Sequence, residues 1–162
     1  MQMKIVKRLM ALLAMALWTT MAQAGGHVMA DNAWIREAPP GAAAMAGYMT
    51  LMNQGDKPAI LVGASSPAFA KVMLHRTIME EGMAKMVHQM QIEIPAHGKV
   101  TFEPNDYHLM LMKPKQQLKA GDKVDITLEF KDGKSMVVTH EVRSGMGMEQ
   151  GHGAMDHSMM HH

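Results

Sequence analysis

Hydrophobic and polar positions alternate along most of this chain in short runs, with Gly, Pro, Asn and Asp clustered between them. Strict alternation of this kind is the pattern of a half-buried strand. It predicts strands over residues 27–36, 44–52, 59–64, 72–79, 83–90, 91–94, 99–102, 107–112, 123–130 and 135–142. In the first of these, Met29, Ala33 and Ile35 share one face and Val28 and Trp34 the other, since side chains repeat every second residue. The breaks fall at Ala38-Pro39-Pro40-Gly41, Asn53-Gln54-Gly55-Asp56, Glu80-Glu81-Gly82, Pro104-Asn105-Asp106 and Asp132-Gly133, with a short helical turn at 68–70. Asp-Gly between two alternating runs is a strong tight-turn signal. No segment carries a long helical period and no internal repeat is visible. Short strands at regular spacing predict an all-β domain, a Greek-key sandwich or barrel.

The two ends read differently. Lys4, Lys7 and Arg8 precede an apolar run over 9–17, and Ala22-Gln23-Ala24 follows as a small-x-small cleavage site. This is the three-part order of a secretory signal peptide. The apolar run falls short of the roughly 20 residues a membrane span needs, and no cysteine follows for a lipid anchor. Residues 1–24 are thus expected to be removed near Ala24, which places the mature protein in the periplasm. After Arg143 the composition turns abruptly to Gly, Met and His, so 144–162 is expected to be a disordered tail and 25–143 the folded domain.

Charge and composition narrow the function. The formal net charge is +1 and the basic residues are interspersed with acidic ones, so no nucleic-acid footprint exists. No run after the signal is apolar enough to insert into a membrane, and a monomer is expected. Cysteine is absent, which removes disulfides, thiol redox chemistry and the thiolate of blue-copper sites. Methionine, by contrast, occurs 22 times and histidine 10 times. Methionine is an adaptable core filler, and Met45, Met49 and Met52 are read that way.

Other methionines lie where filling does not explain them. In Tyr107-His108-Leu109-Met110-Leu111-Met112, strand alternation gives Tyr107, Leu109 and Leu111 one face and His108, Met110 and Met112 the other. The first set suffices for a core. The second is an imidazole followed by two thioethers, soft neutral donors that favour Cu(I) over harder ions. Zinc ordinarily takes Cys, His or carboxylate, and calcium or magnesium take oxygen. His75 shares a face with Met73 and Thr77, and Met83, Met86 and Met90 follow the next turn. His88 and His97 read as solvent-side or turn residues. His27, and Met136 with His140 on one face of the last strand, carry only weak signals.

His75, ten residues, Met86, twenty-one residues, His108, one residue, Met110: this spacing resembles the H-x10-M-x21-H-x-M pattern of the PCu(A)C periplasmic copper chaperones. Ala33-Trp34-Ile35-Arg36, Gly47-Tyr48-Met49 and the segment 107–112 are similar to further blocks of that family. The resemblance covers most of the domain but not the tail. It implies a cupredoxin-like Greek-key fold with an accessible Cu(I) site whose ligands are His75, Met86, His108 and Met110. It also implies delivery of copper toward the dinuclear copper centre of a cytochrome c oxidase subunit, alongside Sco-type proteins. Some members carry a methionine directly after the first histidine, where this chain has Arg76.

The tail offers a second donor set: Met146, Met148, His152, Met155, His157, Met159, Met160, His161 and His162. Its imidazoles suit Cu(II) and its thioethers Cu(I). Two functions share these ligands, a carrier that releases copper and a sequestering or resistance protein that keeps it. A copper enzyme is the weaker reading, because no nucleophile with its base and no acidic pair stands out.

Overall fold

The structure, a computed structural model, describes residues 27–145. Ten strands follow one another with no α-helix among the described residues: β1 (Val28–Arg36), β2 (Ala44–Asn53), β3 (Ala59–Ser65), β4 (Phe69–Glu80), β5 (Met83–His88), β6 (Ile92–Ile94), β7 (Lys99–Phe102), β8 (Tyr107–Pro114), β9 (Lys123–Phe130) and β10 (Ser135–Arg143). They form one sheet in the order β5-β4-β8-β7-β2-β1-β10-β9-β3-β6, with β8 also paired to β2. The sheet rolls over on itself, because β3 near one end packs against β4 near the other, and β6 reaches β7 and β2. Most pairings are antiparallel, but β1 runs parallel to β10, and β7 meets β8 in parallel. The all-β sandwich expected from the alternation is the fold observed. The signal peptide and the tail from Met146 onward lie outside the described residues.

The core fills the inside of the roll. Ile35, Leu51, Leu61, Ile94, Leu109, Leu111, Ile126 and Leu128 are fully buried, joined by Met49 and Phe102. Each such aliphatic side chain contributes about 1.5–3 kcal/mol by leaving water. Gly47 lies on this inner face, where a Cβ would sit 3.4 Å from both Leu109 and Leu111. The absence of a side chain there lets β2 close on β8.

Three details depart from strict alternation. In β1 the register against β2 shifts between Asp31 and Trp34, and Asn32 adopts a φ of 48°. The extra residue turns the strand over, so Val28 and Ala30 join Ala33 and Ile35 against the core, and Met29 faces outward at 50% exposure. Met29 therefore does not share a face with Ile35. In β2, Met45 and Met49 are buried as expected, but Met52 is half-buried on the opposite face, between Met29 and Lys99. The expected helical turn at 68–70 is instead a turn that leads directly into β4.

Two buried polar side chains bear on stability. Asn53 donates through Nδ2 to the carbonyls of Lys57 (2.8 Å) and Ile94 (3.1 Å), and its Oδ1 accepts from the Gly55 amide (2.9 Å). It ties the β2–β3 turn to β6. His140 is fully buried in β10, its Nδ1 donating to the Val138 carbonyl at 3.1 Å while Nε2 has no partner. Burial lowers its pKa, partly offset by the Val138 carbonyl and the Asp125 carboxylate. The folded chain thus holds His140 neutral while the unfolded chain protonates it near the ordinary value of 6.5. Stability from this group is complete above that value and is lost as pH falls below it toward the depressed folded pKa.

Replacing Asn53 with Ala removes two buried hydrogen bonds and a part-buried one, and urea unfolding should show a loss of about 2–3 kcal/mol at unchanged slope. Lowering the pH from about 7.5 to about 5 should lower the urea midpoint of the parent more than that of His140→Leu. Equal declines would remove His140 as a source of the acid sensitivity.

Candidate metal centre

Register between β4 and β8 builds the site. Leu74 pairs with Leu109 and Val72 with Leu111, all buried, so their neighbours face the other way. On that outer face His75 lies directly opposite His108, and Met73 opposite Met110. The expected division of 107–112 is observed: Leu109 and Leu111 are fully buried, while Met110 and Met112 are half-buried outside the core. His108 shares their face but is itself 5% exposed. Tyr48, two residues along β2 from the Ala46 that pairs with Met110, shares this face and stacks on Trp34 at 4.6 Å between ring centroids.

Strand β5 adds the third side of the site. The turn at Glu81 and Gly82, with φ values of 52° and 78°, is a two-residue hairpin that sets Glu80 against Met83. From there the ladder places Met86 opposite Thr77 and His88 opposite His75. Met86 is therefore one step diagonally from His75 on the same face, within reach of a long side chain, and it is 60% exposed. His75, Met86, His108 and Met110 thus lie on one face of three adjacent strands.

Each of the two facing histidines keeps one ring nitrogen without a hydrogen-bond partner among the described residues. His108 Nδ1 lies 3.0 Å from the Asp106 carbonyl oxygen. A carbonyl only accepts, so Nδ1 carries the proton and Nε2 presents its lone pair. That Nε2 is buried with no partner, and so is Nδ1 of His75. Buried polar atoms without partners are uncommon and call for an explanation. The imidazoles of His75 and His108 stand 5.9 Å apart between centroids. The His75 pKa is lowered, first by burial and then by the neighbouring imidazoles of His108 and His88, which keeps its lone pair free at neutral pH.

The support around Asp106 fixes this arrangement. Its carbonyl also accepts from the Thr77 amide at 3.1 Å, and its carboxylate takes the Arg76 Nε at 2.7 Å. Arg76 lies over the Tyr107 ring, 4.6 Å from the centroid. A carbonyl that holds the ligand's second ring nitrogen is the usual outer partner of a metal-binding histidine. Among the described residues, no group of three or more His, Asp or Glu side chains is arranged to hold an ion. As these side chains stand, a site here is completed with the neighbouring thioethers, and thioethers select a soft ion.

Other candidates fall elsewhere. His27 sits beside the Gln54 turn, accepting from the Gln54 amide through its carbonyl. His97 is in a turn and pairs with Asp56 at 2.8 Å. His140 belongs to the core, and Met136 on the same strand is half-buried. Met83 pairs with Glu80 on the face away from His75, and Met90 is 80% exposed beyond the end of β5. The tail set from Met146 to His162 lies outside the described residues. The solvent-side reading of His88 missed its place beside His75. Counting back along the ladder from the two-residue turn at Glu81-Gly82 would have paired the two.

The LpqE-like lipoprotein family model matches residues 28–142, which is β1 through nearly all of β10. The chain belongs to the LpqE-like family. This LpqE-like chain is 34% identical to a protein of Leifsonia xyli subsp. xyli named as lipoprotein Lxx21020, over 79% of this chain and 76% of that protein. The family is named for lipoproteins, yet these 162 residues contain no cysteine for lipid attachment. Among solved structures it is similar to the Cu(I) form of DR1885 from Deinococcus radiodurans, at 37% identity and a TM-score of 0.61, over 81% of this chain and 87% of that one. The copper-bound PCuAC domain of PmoF2 superposes with a TM-score of 0.63 at 23% identity, covering 74% of this chain and 94% of that domain, and shows the shared fold. The PCuAC kinship and cupredoxin-like β fold expected from the sequence are borne out.

The Asp106 contact fixes an observable. In a long-range proton–nitrogen correlation spectrum, the neutral ring of His108 should be the Nδ1–H tautomer. The opposite tautomer would remove Nε2 as a donor atom.

Proposed function

We propose that this protein is a periplasmic copper carrier that binds Cu(I) through His75, Met86, His108 and Met110 and releases it to an acceptor. The observation that supports this most is the pairing of two orphaned imidazole nitrogens across β4 and β8 on a face that also carries the thioethers of Met86 and Met110. The Cu(I)-bound form of DR1885 supports the choice of ion.

Neutral donors suit a cargo. Two imidazoles and two thioethers leave a bound Cu(I) with its single positive charge, which would be costly in a sealed interior. The face meets that requirement unevenly. His108 is held in place and shielded, whereas Met86 stands on the edge strand β5, largely in water. Its thioether is the ligand an incoming donor would displace first, so β5 is the side from which copper leaves. The resemblance to the PCu(A)C family makes a dinuclear copper centre of cytochrome c oxidase, or a Sco-type protein, the acceptor to try first.

A second reading shares the site. The Met and His between Met146 and His162 offer further donors for Cu(I) and Cu(II), as a sequestering protein would need. Carrier and store differ in stoichiometry and release.

Anaerobic Cu(I) titration of the mature chain against a chelator should give one tight equivalent. His108→Ala and Met110→Ala should each weaken it by at least about tenfold, since loss of even an outer partner of a metal ligand costs roughly 10–100-fold. Unchanged binding in both variants would overturn the ligand set. Several tight equivalents with no transfer to a copper-acceptor fragment would decide for storage.

A further inference from the structure

His88 stands outside the four-residue set, yet the fold gives it a specific position. It is the last residue of β5, directly opposite His75, which is directly opposite His108. Three imidazoles thus lie in one row on adjacent strands, all on the outer face. The ring centroids of His88 and His75 are 5.5 Å apart and those of His75 and His108 are 5.9 Å apart, each pair edge-on at 76°. Two imidazoles bound to one first-row ion at about 2.0 Å have centroids roughly 5–6 Å apart. Both neighbouring pairs already stand at that separation.

The row lacks convergence. As placed, the three rings do not close on a common point, and one of them has to turn. His88 is the ring free to do so. It is exposed, and no hydrogen bond from the described residues holds it, while His108 is tied to the Asp106 carbonyl. The backbone beneath His88 is secured on its far side, where the Gln89 amide donates to the Leu74 carbonyl at 2.8 Å. The strand therefore stays in register while the imidazole rotates over His75.

The donor chemistry then distinguishes two states of one metal. Thioether sulfur selects Cu(I), whereas imidazole nitrogen also suits Cu(II), which binds nitrogen sites more tightly than other first-row divalent ions. We infer that His88, His75 and His108 together form a Cu(II) site, so that this face takes oxidised copper through three imidazoles and reduced copper through its thioethers. The inference rests on the copper reading above and extends it to the ion's second oxidation state. Binding alone is proposed, with no electron transfer. His75 and His108 serve both states, and the exchange of Met86 and Met110 for His88 distinguishes them. All three imidazoles are on β4, β5 and β8, so this site is separate from the histidines of the tail.

The test uses the whole mature chain and Cu(II) supplied as its glycine complex, which competes away weak surface sites. Amide resonances assigned to His75, His88 and His108 should broaden at substoichiometric Cu(II). His88→Ala, at an exposed edge position, should weaken Cu(II) binding at these strands by at least about tenfold and change Cu(I) affinity by less than about threefold. Broadening confined to residues 146–162, or broadening at β4 and β8 that persists unchanged in His88→Ala, would overturn the proposal. An equal loss of Cu(I) and Cu(II) in that variant would overturn it as well, because His88 would then not discriminate between them. A parent chain that fails to bind Cu(I) but shows His88-dependent broadening by Cu(II) would sink the carrier reading and leave this site standing.

Discussion

The antiparallel register of β4 against β8 sets Leu74 on Leu109 and Val72 on Leu111 inside the core, and the same register sets His75 on His108 and Met73 on Met110 outside it. Because side chains repeat every second residue, a slip of one position would send the leucines into water and the imidazoles into the core. The burial of four aliphatic side chains therefore enforces the geometry of the candidate metal face. The Arg76–Asp106 ion pair and the Arg76–Tyr107 contact lock the end of the ladder next to the histidines. Exposed ion pairs contribute little to stability, so the value of this one lies in holding the Asp106 carbonyl against His108.

That carbonyl links fold to chemistry. It assigns the proton of His108 to Nδ1 and leaves Nε2 bare, at the cost of a buried nitrogen without a partner. His75 incurs the same cost at Nδ1. Two such atoms on facing residues are strain that a metal ion would relieve. Among the described residues no three His, Asp or Glu side chains converge as they stand, so a reduced ion here would complete its shell from the neighbouring thioethers. The edge position of β5 leaves Met86 exposed, as the proposed release of copper would require.

Much of this was legible in the sequence because strand periodicity is a local property. The alternation in 107–112 separated the core face from the outer face correctly, and the Asp132-Gly133 turn appears with Gly133 at a φ of 83°. What failed was whatever depends on one added residue or on a neighbour from another strand. The extra residue at Asn32 exchanged the faces expected for Val28 and Met29, and nothing in the local pattern announced it. Met52 looked like core filling because methionine suits either environment. His88 looked like an isolated surface histidine, since its meaning comes entirely from the hairpin register that sets it beside His75. His140 gave the opposite surprise, a polar side chain fully buried among aliphatic ones.

X-ray absorption at the copper edge of the Cu(I)-loaded mature chain tests the central claim most directly. The account predicts a mixed first shell, with nitrogen at about 2.0 Å and sulfur at about 2.3 Å in comparable numbers. The sulfur component should shrink in Met110→Ala while the nitrogen component stays. A shell of nitrogen and oxygen alone, or a sulfur contribution unaltered by that substitution, would contradict a site built on this face.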